Sequence, residues 1–485
     1  MKKITKKSKI VIIVVACVLA VGIGLGSYFM FGPMPMRVNW DNVHEVENNV
    51  TLLTAGENGK PAELIRYNAD GTVDETPWKV VQFTDLHFGD KMNENEITLN
   101  KMLDAIYAEK PDYVVMTGDI ITSIRGKSRA EQLCKIFEKL GIYWTYVLGN
   151  HEGDQILAMK RKKLIDLCAS YPHCVLDNSV KYTKDGEKVW GDGNCVVNLL
   201  GKDNKIVQSM IFMDSGDAIS NADAKRVGVE KGTYDFLKES QMKWYEEQVN
   251  AAVDLNPNVK TMLFIHIPLV EQNSLIYVRQ SEYAPEDSSS NRVVLLSEKP
   301  EFANNLSAED KTAVESGKIV SATVNGAKTT VYPAIYKKVE NSERLLDGKV
   351  IGFFILKDGW SYARGTGAYE GCCSSDYNNG MYALMKKLAP HVNGLFCGHD
   401  HVTNSVLYET GEYTKENSPV YLCYGICGGY ATYSLYSKKM SNSKDELKGY
   451  CIITIYEDGS FDYCGAEYTD TTVRMPYIQG SLPVE

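Results

Sequence analysis

Five short apolar stretches of this chain end in acidic, amide or imidazole side chains. They are "KVVQFTD", "DYVVMTGD", "IYWTYVLGNHE", "VKTMLFIHIP" and "VNGLFCGHD". Helical spacing separates the first three, in "NENEITLNKMLDAIYAEKP" and then in "SRAEQLCKIFEKLG", where we expect a helix from Ser128 that ends at Gly141. This alternation predicts an α/β core with buried strands. Because ligands collect at the carboxyl ends of strands in open α/β sheets, the polar residues there can meet in one place.

The polar residues at these strand ends are rich in histidine. The chain has 8 histidines, and five of them lie at strand ends. A single aspartate after a strand usually forms a turn or a helix cap, and a single histidine there is usually structural. Their joint occurrence argues against a separate structural explanation for each one. The candidate site residues are Asp85, His87, Asp119, Asn150, His151, His266, His399 and His401.

The donor types indicate the chemistry of this site. Oxygen and imidazole ligands without thiolates favour iron, manganese or zinc and argue against a structural zinc site. So many ligands exceed the needs of one ion and indicate two ions about 3.5–4 Å apart, bridged by an aspartate carboxylate. Such a pair lowers the pKa of a bridging water, and the hydroxide attacks a phosphate ester in line. We therefore predict a hydrolase with two divalent or trivalent metal ions as cofactors.

The order D-x-H, G-D, G-N-H-E, a later histidine and G-H-x-H resembles the calcineurin-like metallophosphoesterase superfamily, over roughly residues 79–432. The resemblance implies an α/β (α+β) fold, a four-layer αββα sandwich of two mixed β-sheets with helices outside. It implies direct hydrolysis without a covalent phosphoenzyme. The ligands that it implies are Asp85, His87, Asp119 and His401 for one metal, and Asp119, Asn150, His266 and His399 for the other.

The resemblance also implies roles next to the metals. His151 is similar to the residue that steadies the phosphate oxygens and protonates the leaving group, so we expect Asn150 and His151 to contact substrate. Either Asp90 or Glu152 would orient the His151 ring. Arg364, in the loop "YARGTGAYEGCCSSDYNNG", is our candidate for a substrate-phosphate contact, although this stretch also fits an ordinary surface loop.

Three further stretches, "MKWYEEQV", "FIHIPLVE" and "GHDHVTN", resemble relatives of the purple acid phosphatases. True purple acid phosphatases have a tyrosine iron ligand after the G-D motif, whereas this chain has Thr122. They also lack a histidine at the position of His87. The resemblance is therefore to a related branch without a coloured ferric centre, and manganese, iron and zinc all stay open.

The N-terminus predicts a membrane anchor. Residues 10–31 form an uncharged apolar run long enough to cross a bilayer as a helix, and lysines precede it. We expect a single-pass membrane protein with a cytoplasmic N-terminus and an extracytoplasmic catalytic domain. A cleaved signal peptide and a lipoprotein site at Cys17 are the alternatives.

Charge and composition limit the partners. The formal net charge is -10, although residues 1–37 contain six basic and no acidic residues, so the remaining chain is more acidic still. We therefore expect no nucleic-acid partner. The predicted organisation is a tail and anchor at 1–37, a lead-in segment at 38–78, and a catalytic domain at 79–485 with an insertion near 272–350.

Cysteines and substrate choice leave alternatives open. The 12 cysteines are scattered, and outside a membrane some could pair, for example Cys168 with Cys174. The metal site serves a phosphomonoesterase and a phosphodiesterase equally, and a non-catalytic metal-binding sensor on the same fold is the rival from another class. The oligomeric state cannot be read from the sequence.

Overall fold

The computed structural model describes residues 36–154, 158–283 and 292–484. The apolar run at 10–31, predicted as a transmembrane helix, and Cys17 lie outside these ranges. Within them, no helix combines the length and the apolar character that a bilayer crossing needs.

The described chain is a mixed α/β structure. The strands are β1 (Val50–Thr54), β2 (Ala62–Arg66), β3 (Trp78–Phe83), β4 (Tyr113–Thr117), β5 (Tyr143–Val147), β6 (Cys195–Leu200), β7 (Ile206–Phe212), β8 (Lys260–Phe264), β9 (Leu275–Arg279), β10 (Arg292–Leu295), β11 (Val320–Val324), β12 (Ala327–Tyr332), β13 (Tyr336–Lys338), β14 (Arg344–Leu346), β15 (Lys349–Lys357), β16 (Trp360–Tyr362), β17 (Val392–Cys397), β18 (Val406–Glu409), β19 (Tyr421–Tyr424), β20 (Gly449–Ile455), β21 (Phe461–Glu467), β22 (Met475–Gln479) and β23 (Leu482–Pro483). The α-helices are α1 (Met92–Glu109), α2 (Gly126–Leu140), α3 (Arg161–Cys168), α4 (Asn221–Val227), α5 (Glu239–Leu255), α6 (Ala308–Glu315) and α7 (Met381–Lys387).

A seven-stranded sheet contains the first three predicted strands. Its order is β23-β22-β21-β20-β3-β4-β5. Strands β3, β4 and β5 run parallel, and the other pairs are antiparallel. Helix α1 joins β3 to β4 and helix α2 joins β4 to β5, where Phe137 stacks on Trp144. Helix α2 ends at Gly141 as expected, but it begins at Gly126, two residues before the expected Ser128.

A nine-stranded mixed sheet has the order β1-β2-β6-β7-β8-β17-β19-β18-β16. Its central strands β7, β8, β17 and β19 run parallel. Helix α5 packs on β7, and helix α7 packs on β17. The lead-in segment supplies β1 and β2, which extend one edge of this sheet.

The two large sheets pack against each other. Phe396 on β17 lies 5.3 Å from Tyr463 on β21 between ring centroids, and Tyr421 on β19 lies 5.9 Å from Phe461. These rings are buried, and they belong to one hydrophobic core that includes residues of both sheets. The predicted mixed α/β class is confirmed.

The segment predicted as an insertion forms two smaller sheets. Strands β10, β12 and β11 form one, and β13, β15 and β14 form the other, with β9 paired to β15. One apolar cluster, with Ile276, Phe353 and Val293, includes residues of both small sheets, and a second, with Val294 and Val331, lies on the β10-β12-β11 sheet. The sequence of this segment shows no clear period, because short strands in small sheets leave only a weak pattern.

Cysteine chemistry differs from the expectation. Every cysteine in the described part of the chain is a free thiol, so the suggested Cys168–Cys174 disulfide is absent. Cys168 instead lies beside Cys134.

Candidate metal centre

The candidate ligands follow strands of both large sheets. Asp85 and Asp119 follow β3 and β4 in the seven-stranded sheet, and His266 and His399 follow β8 and β17 in the nine-stranded sheet. The backbone N–H of His399 donates to Asp85 Oδ2 at 2.9 Å, which joins the two groups. The strand ends therefore meet where the two sheets come together.

Four buried side chains form the first ligand group, and their nearest donor atoms all lie within 4.8 Å of one another. The Nε2 atoms of His87 and His401 lie 3.0 Å apart. His401 Nε2 lies 3.3 Å from Asp85 Oδ1, and His87 Nε2 lies 3.8 Å from Asp119 Oδ2. This set is the one that the family resemblance implies for one metal.

The second group contains Asp119, His266 and His399. His266 Nε2 lies 3.2 Å from Asp119 Oδ2 and 3.2 Å from His399 Nδ1. The amide oxygen of Asn150 lies 3.0 Å from the same His266 nitrogen, so Asn150 also faces this group. Asp119 belongs to both groups, which is the placement that a bridging carboxylate requires.

Asp85 and Asp119 each have one carboxylate oxygen that accepts hydrogen bonds from the protein and one that accepts none. Asp85 Oδ2 accepts from the Thr84 hydroxyl at 2.7 Å, and Asp119 Oδ1 accepts from the backbone N–H of His151 at 2.8 Å. Asp85 Oδ1 and Asp119 Oδ2 are buried without a hydrogen-bond partner, and both face the histidine nitrogens. Two uncompensated carboxylate oxygens in a buried site are costly, so this donor set fits cations.

The charges of the buried carboxylates in the cluster also favour the binding of a cation. Burial opposes the charged form of His266, but the carboxylates of Asp119 and Asp85 outweigh it and raise the pKa of His266 to about 10. Burial and the adjacent His266 lower the pKa of His399 to about 3. Burial opposes ionisation of Asp119, but His266 and His87 hold its pKa below the ordinary value. The carboxylates thus stay ionised and attract a cation.

The backbone at the cluster is strained. Asp85, His87 and Asp119 have φ angles of 52°, 49° and 52°, in the left-handed region that costs most residues about 1–3 kcal/mol. Gly118 has φ 88°, and a Cβ there would overlap the His266 ring. Such conformations persist only where the surrounding structure holds them, and they concentrate at functional sites.

Buried neighbours fix the orientation of the ligands. Thr117 O accepts from His266 Nδ1 at 2.8 Å, which leaves Nε2 free to bind a metal. Glu152 accepts from the backbone N–H groups of Asp119, Ile120 and Ile121 at 3.1, 2.5 and 3.1 Å, and from that of Gly149 at 2.6 Å. Glu152 therefore holds together the two loops that carry Asp119 and Asn150.

His151 lies at the edge of the cluster, with its ring centroid 5.5 Å from that of His87. Its Nδ1 lies 2.6 Å from Asp154 Oδ2, so the expectation that Asp90 or Glu152 orients this ring is wrong. Asp90 binds Ser123 and Arg125 instead. The sequence "HEGD" did contain the signal, since Asp154 follows His151 by three residues.

Arg364 lies elsewhere. Its side chain is exposed and lines a cavity of about 880 Å³ between the inserted sheets and the loop at 440–446. It belongs to neither ligand group, and its predicted contact with substrate phosphate stays a prediction. No motif in the sequence indicated three further residues near the cluster. Tyr234 lies against His399, and Thr432 and Tyr433 contact His401.

Residues 79–300 match the family model described as calcineurin-like phosphoesterase. The chain carries a calcineurin-like phosphoesterase domain. The matched region includes Asp85, His87, Asp119, Asn150 and His266. The remaining candidate ligands, His399 and His401, lie beyond it and join the cluster through β17.

Several proteins related to the purple acid phosphatases are similar to this chain. A "Probable inactive purple acid phosphatase 28" of Arabidopsis thaliana is 28% identical over 243 residues, which are 44% of this chain and 57% of that protein. A "Probable inactive purple acid phosphatase 29" of the same plant is 26% identical over 237 residues, which are 43% of this chain and 57% of that protein. The chain thus spans little more than half the length of these relatives. Among solved structures, a purple acid phosphatase from yellow lupin (Lupinus luteus) seeds is 10% identical with a TM-score of 0.37, over 87% of this chain and 59% of that one.

Proposed function

We propose that this protein hydrolyses a phosphate ester with two metal ions bound in the cluster. The observation that carries the proposal is the pair of buried, unpartnered oxygens, Asp85 Oδ1 and Asp119 Oδ2, that face histidine nitrogens in two ligand groups sharing Asp119. Metal ions bound there would activate a water molecule and stabilise charge on the phosphate oxygens. Manganese, iron and zinc all suit these donors.

His151 is the residue we assign to proton transfer. Asp154 occupies its Nδ1, which leaves Nε2 free for a substrate oxygen. Burial disfavours the charged imidazole, but the carboxylates of Asp119 and Asp154 outweigh it and raise the pKa of His151. The protonated ring can then hydrogen-bond a phosphate oxygen and give its proton to the departing alcohol.

We infer a diester as the better substrate, with a monoester as the alternative. Lys438 and Arg161, two cations near the candidate centre, are engaged in ion pairs with Glu370 and Asp214. Glu370 adjoins the backbone of Val402, and Arg161 donates to Gly149 O. With these charges neutralised, His151 is the positively charged group that we assign to the substrate phosphate, and a single such group suits a phosphate with one negative charge better than one with two.

A non-catalytic sensor is the second candidate, because two relatives are named as probable inactive phosphatases. Both ligand groups and His151 are present here, which supports catalysis over sensing.

We also propose that residues 10–31 anchor the chain in a membrane with the domain outside the cytoplasm. Retention of the full-length chain in the pellet after alkaline carbonate extraction of membranes supports the anchor, and release into the supernatant refutes it.

The experiment for the main proposal uses the full-length chain loaded with manganese. Rates on an aryl phosphate monoester and on the matching bis-aryl diester are compared, with Asp119→Ala as the blank. Hydrolysis above the blank supports the phosphoesterase, and a faster diester supports the substrate inference. Manganese binding without hydrolysis of either ester would favour the sensor.

A further inference from the structure

The loop between β19 and β20, which we call the 428–448 loop, contacts one candidate ligand directly. Since Nε2 of His401 faces the cluster, we assign the proton to Nδ1, which donates to the Thr432 hydroxyl oxygen. The Tyr433 ring lies against the His401 ring with centroids 4.3 Å apart. The orientation of the His401 imidazole therefore depends on where this loop lies.

Glu370 links the same loop to the strand-end segment that carries His401. Its Oε1 accepts from the Tyr433 hydroxyl at 2.9 Å and from the backbone N–H of Val402 at 3.2 Å. Its Oε2 pairs with Lys438, further along the loop. The Glu370 carboxylate thus binds both Val402, the residue after His401, and Tyr433, whose ring lies against the His401 ring.

Arg344, on strand β14 of the inserted sheets, holds the far end of this arrangement. Its Nε and Nη2 donate to Met440 O at 3.0 and 2.8 Å, and Nη2 pairs with Glu446 Oε1 at 2.7 Å. The guanidinium also lies over the Tyr369 ring, 4.6 Å from its centroid, and Tyr369 precedes Glu370. One side chain therefore fixes both the 428–448 loop and the segment that carries Glu370.

We propose that Arg344 is a positioning residue for the metal centre: it orients His401 by clamping the 428–448 loop and Tyr369 together. The planar guanidinium matches this task, because it donates in several directions and stacks at once, which a lysine cannot do. The inserted segment thereby becomes part of the metal site without supplying a ligand. The hydrolytic readout rests on the proposed function, whereas the metal-binding and exchange readouts do not.

The surroundings of Arg344 make it a usable target. It lines the cavity of about 880 Å³ that Arg364 also lines. Arg344 is half-buried and its truncation enlarges an open space, so we expect Arg344→Ala to fold. The matched control is Lys337→Ala, since Lys337 lies in the same small sheet and pairs with Asp358 at 2.8 Å in an exposed position.

The test compares the full chain with Arg344→Ala, Arg344→Lys, Glu446→Ala and Lys337→Ala. Manganese affinity is measured by calorimetric titration, and hydrogen exchange of residues 398–404 and 428–448 is followed in the metal-free chain. We expect Arg344→Ala to weaken the affinity of one manganese by about ten-fold and to speed exchange in both segments. Arg344→Lys should recover part of both effects, Glu446→Ala should show smaller changes in the same direction, and Lys337→Ala should match the wild type. With an ester that the wild-type chain hydrolyses, kcat of Arg344→Ala should fall by a larger factor than KM rises.

Affinity and exchange in Arg344→Ala equal to those in Lys337→Ala would overturn the proposal. Should Arg344→Ala fail to fold, Glu446→Ala decides, and wild-type affinity and exchange in that variant would overturn it equally. A wild-type chain that binds two manganese ions but hydrolyses no ester would contradict the proposed function while leaving this comparison intact.

Discussion

The Oδ2 atom of Asp119 lies 3.2 Å from Nε2 of His266 across the junction of the two large sheets. Asp119 also belongs to the ligand group of Asp85, His87 and His401. Replacing Asp119 by alanine should therefore remove both metals, since each loses a ligand and the bridge is lost. We expect activity to fall by about 10³-fold or more, because metal stabilisation of phosphate charge contributes several kcal/mol.

Metal content of Asp119→Ala is measured by elemental analysis beside the ester hydrolysis rate, and circular dichroism verifies the fold. Asp90→Ala is the control, because Asp90 binds Ser123 and Arg125 outside both ligand groups. A variant at Asp119 that keeps two metals per chain would show that this carboxylate is not the bridge.

His151→Ala should keep its metals and lose rate. General acid catalysis contributes about 10²–10⁴-fold, so kcat should fall by that range on a poor leaving group. The loss should be far smaller on p-nitrophenyl esters than on phenyl esters, since nitrophenolate departs without protonation. Asp154→Asn should cost roughly ten-fold with the same leaving-group trend, as expected of a residue that orients and charges His151. An equal loss on both esters would remove His151 from the role of acid.

Gly118→Ala tests the strain at the cluster. Gly118 has φ 88°, and a Cβ would overlap the His266 ring, so the added methyl group meets both backbone strain and overpacking. The free energy of unfolding in urea should fall by about 2–4 kcal/mol. Gly371→Ala is the matched control, since nothing lies within 4 Å of its added Cβ, and it should stay within about 0.5 kcal/mol. Equal stability of the two variants would mean that the loop relaxes freely.

Metal removal should destabilise the chain. The unpartnered oxygens of Asp85 and Asp119 face histidine nitrogens of the ligand groups, and a bound cation relieves the cost of their burial. At manganese concentrations of about 100 times Kd, we expect roughly 2.7 kcal/mol of stabilisation over the chelated chain, seen as a higher Tm. Asp119→Ala should show no such rise, and an unchanged wild-type Tm with and without manganese would argue against a metal centre here.

The sequence predicted the parts of this structure that local pattern determines. Strands β3, β4 and β5 are continuous apolar runs, so the sequence predicts where they end and places Asp85 and Asp119 at those ends. The stop of α2 at Gly141 was equally local, because the residue adopts φ 71°. The candidate ligands could be named because each follows a strand, and carboxyl ends of parallel strands share an edge.

The remaining features depend on contacts between distant segments. Glu152 and Asp154 are both near His151, and only the path of the backbone turns Glu152 towards N–H groups and Asp154 towards the imidazole. Thr432 contacts His401 from a loop without a motif, and Arg344 binds Met440 O of that loop from an inserted sheet. Pattern in one segment carries no information about such contacts.

The dinuclear centre is tested most directly by titrating the metal-free full-length chain with manganese, followed by electron paramagnetic resonance and by hydrolysis of the better ester. Ligand groups that share Asp119 predict two bound ions per chain, a spin-coupled signal from neighbouring manganese ions, and activity that appears as the second equivalent binds. Full activity at one equivalent, or hydrolysis in the absence of any bound metal, would contradict the dinuclear centre.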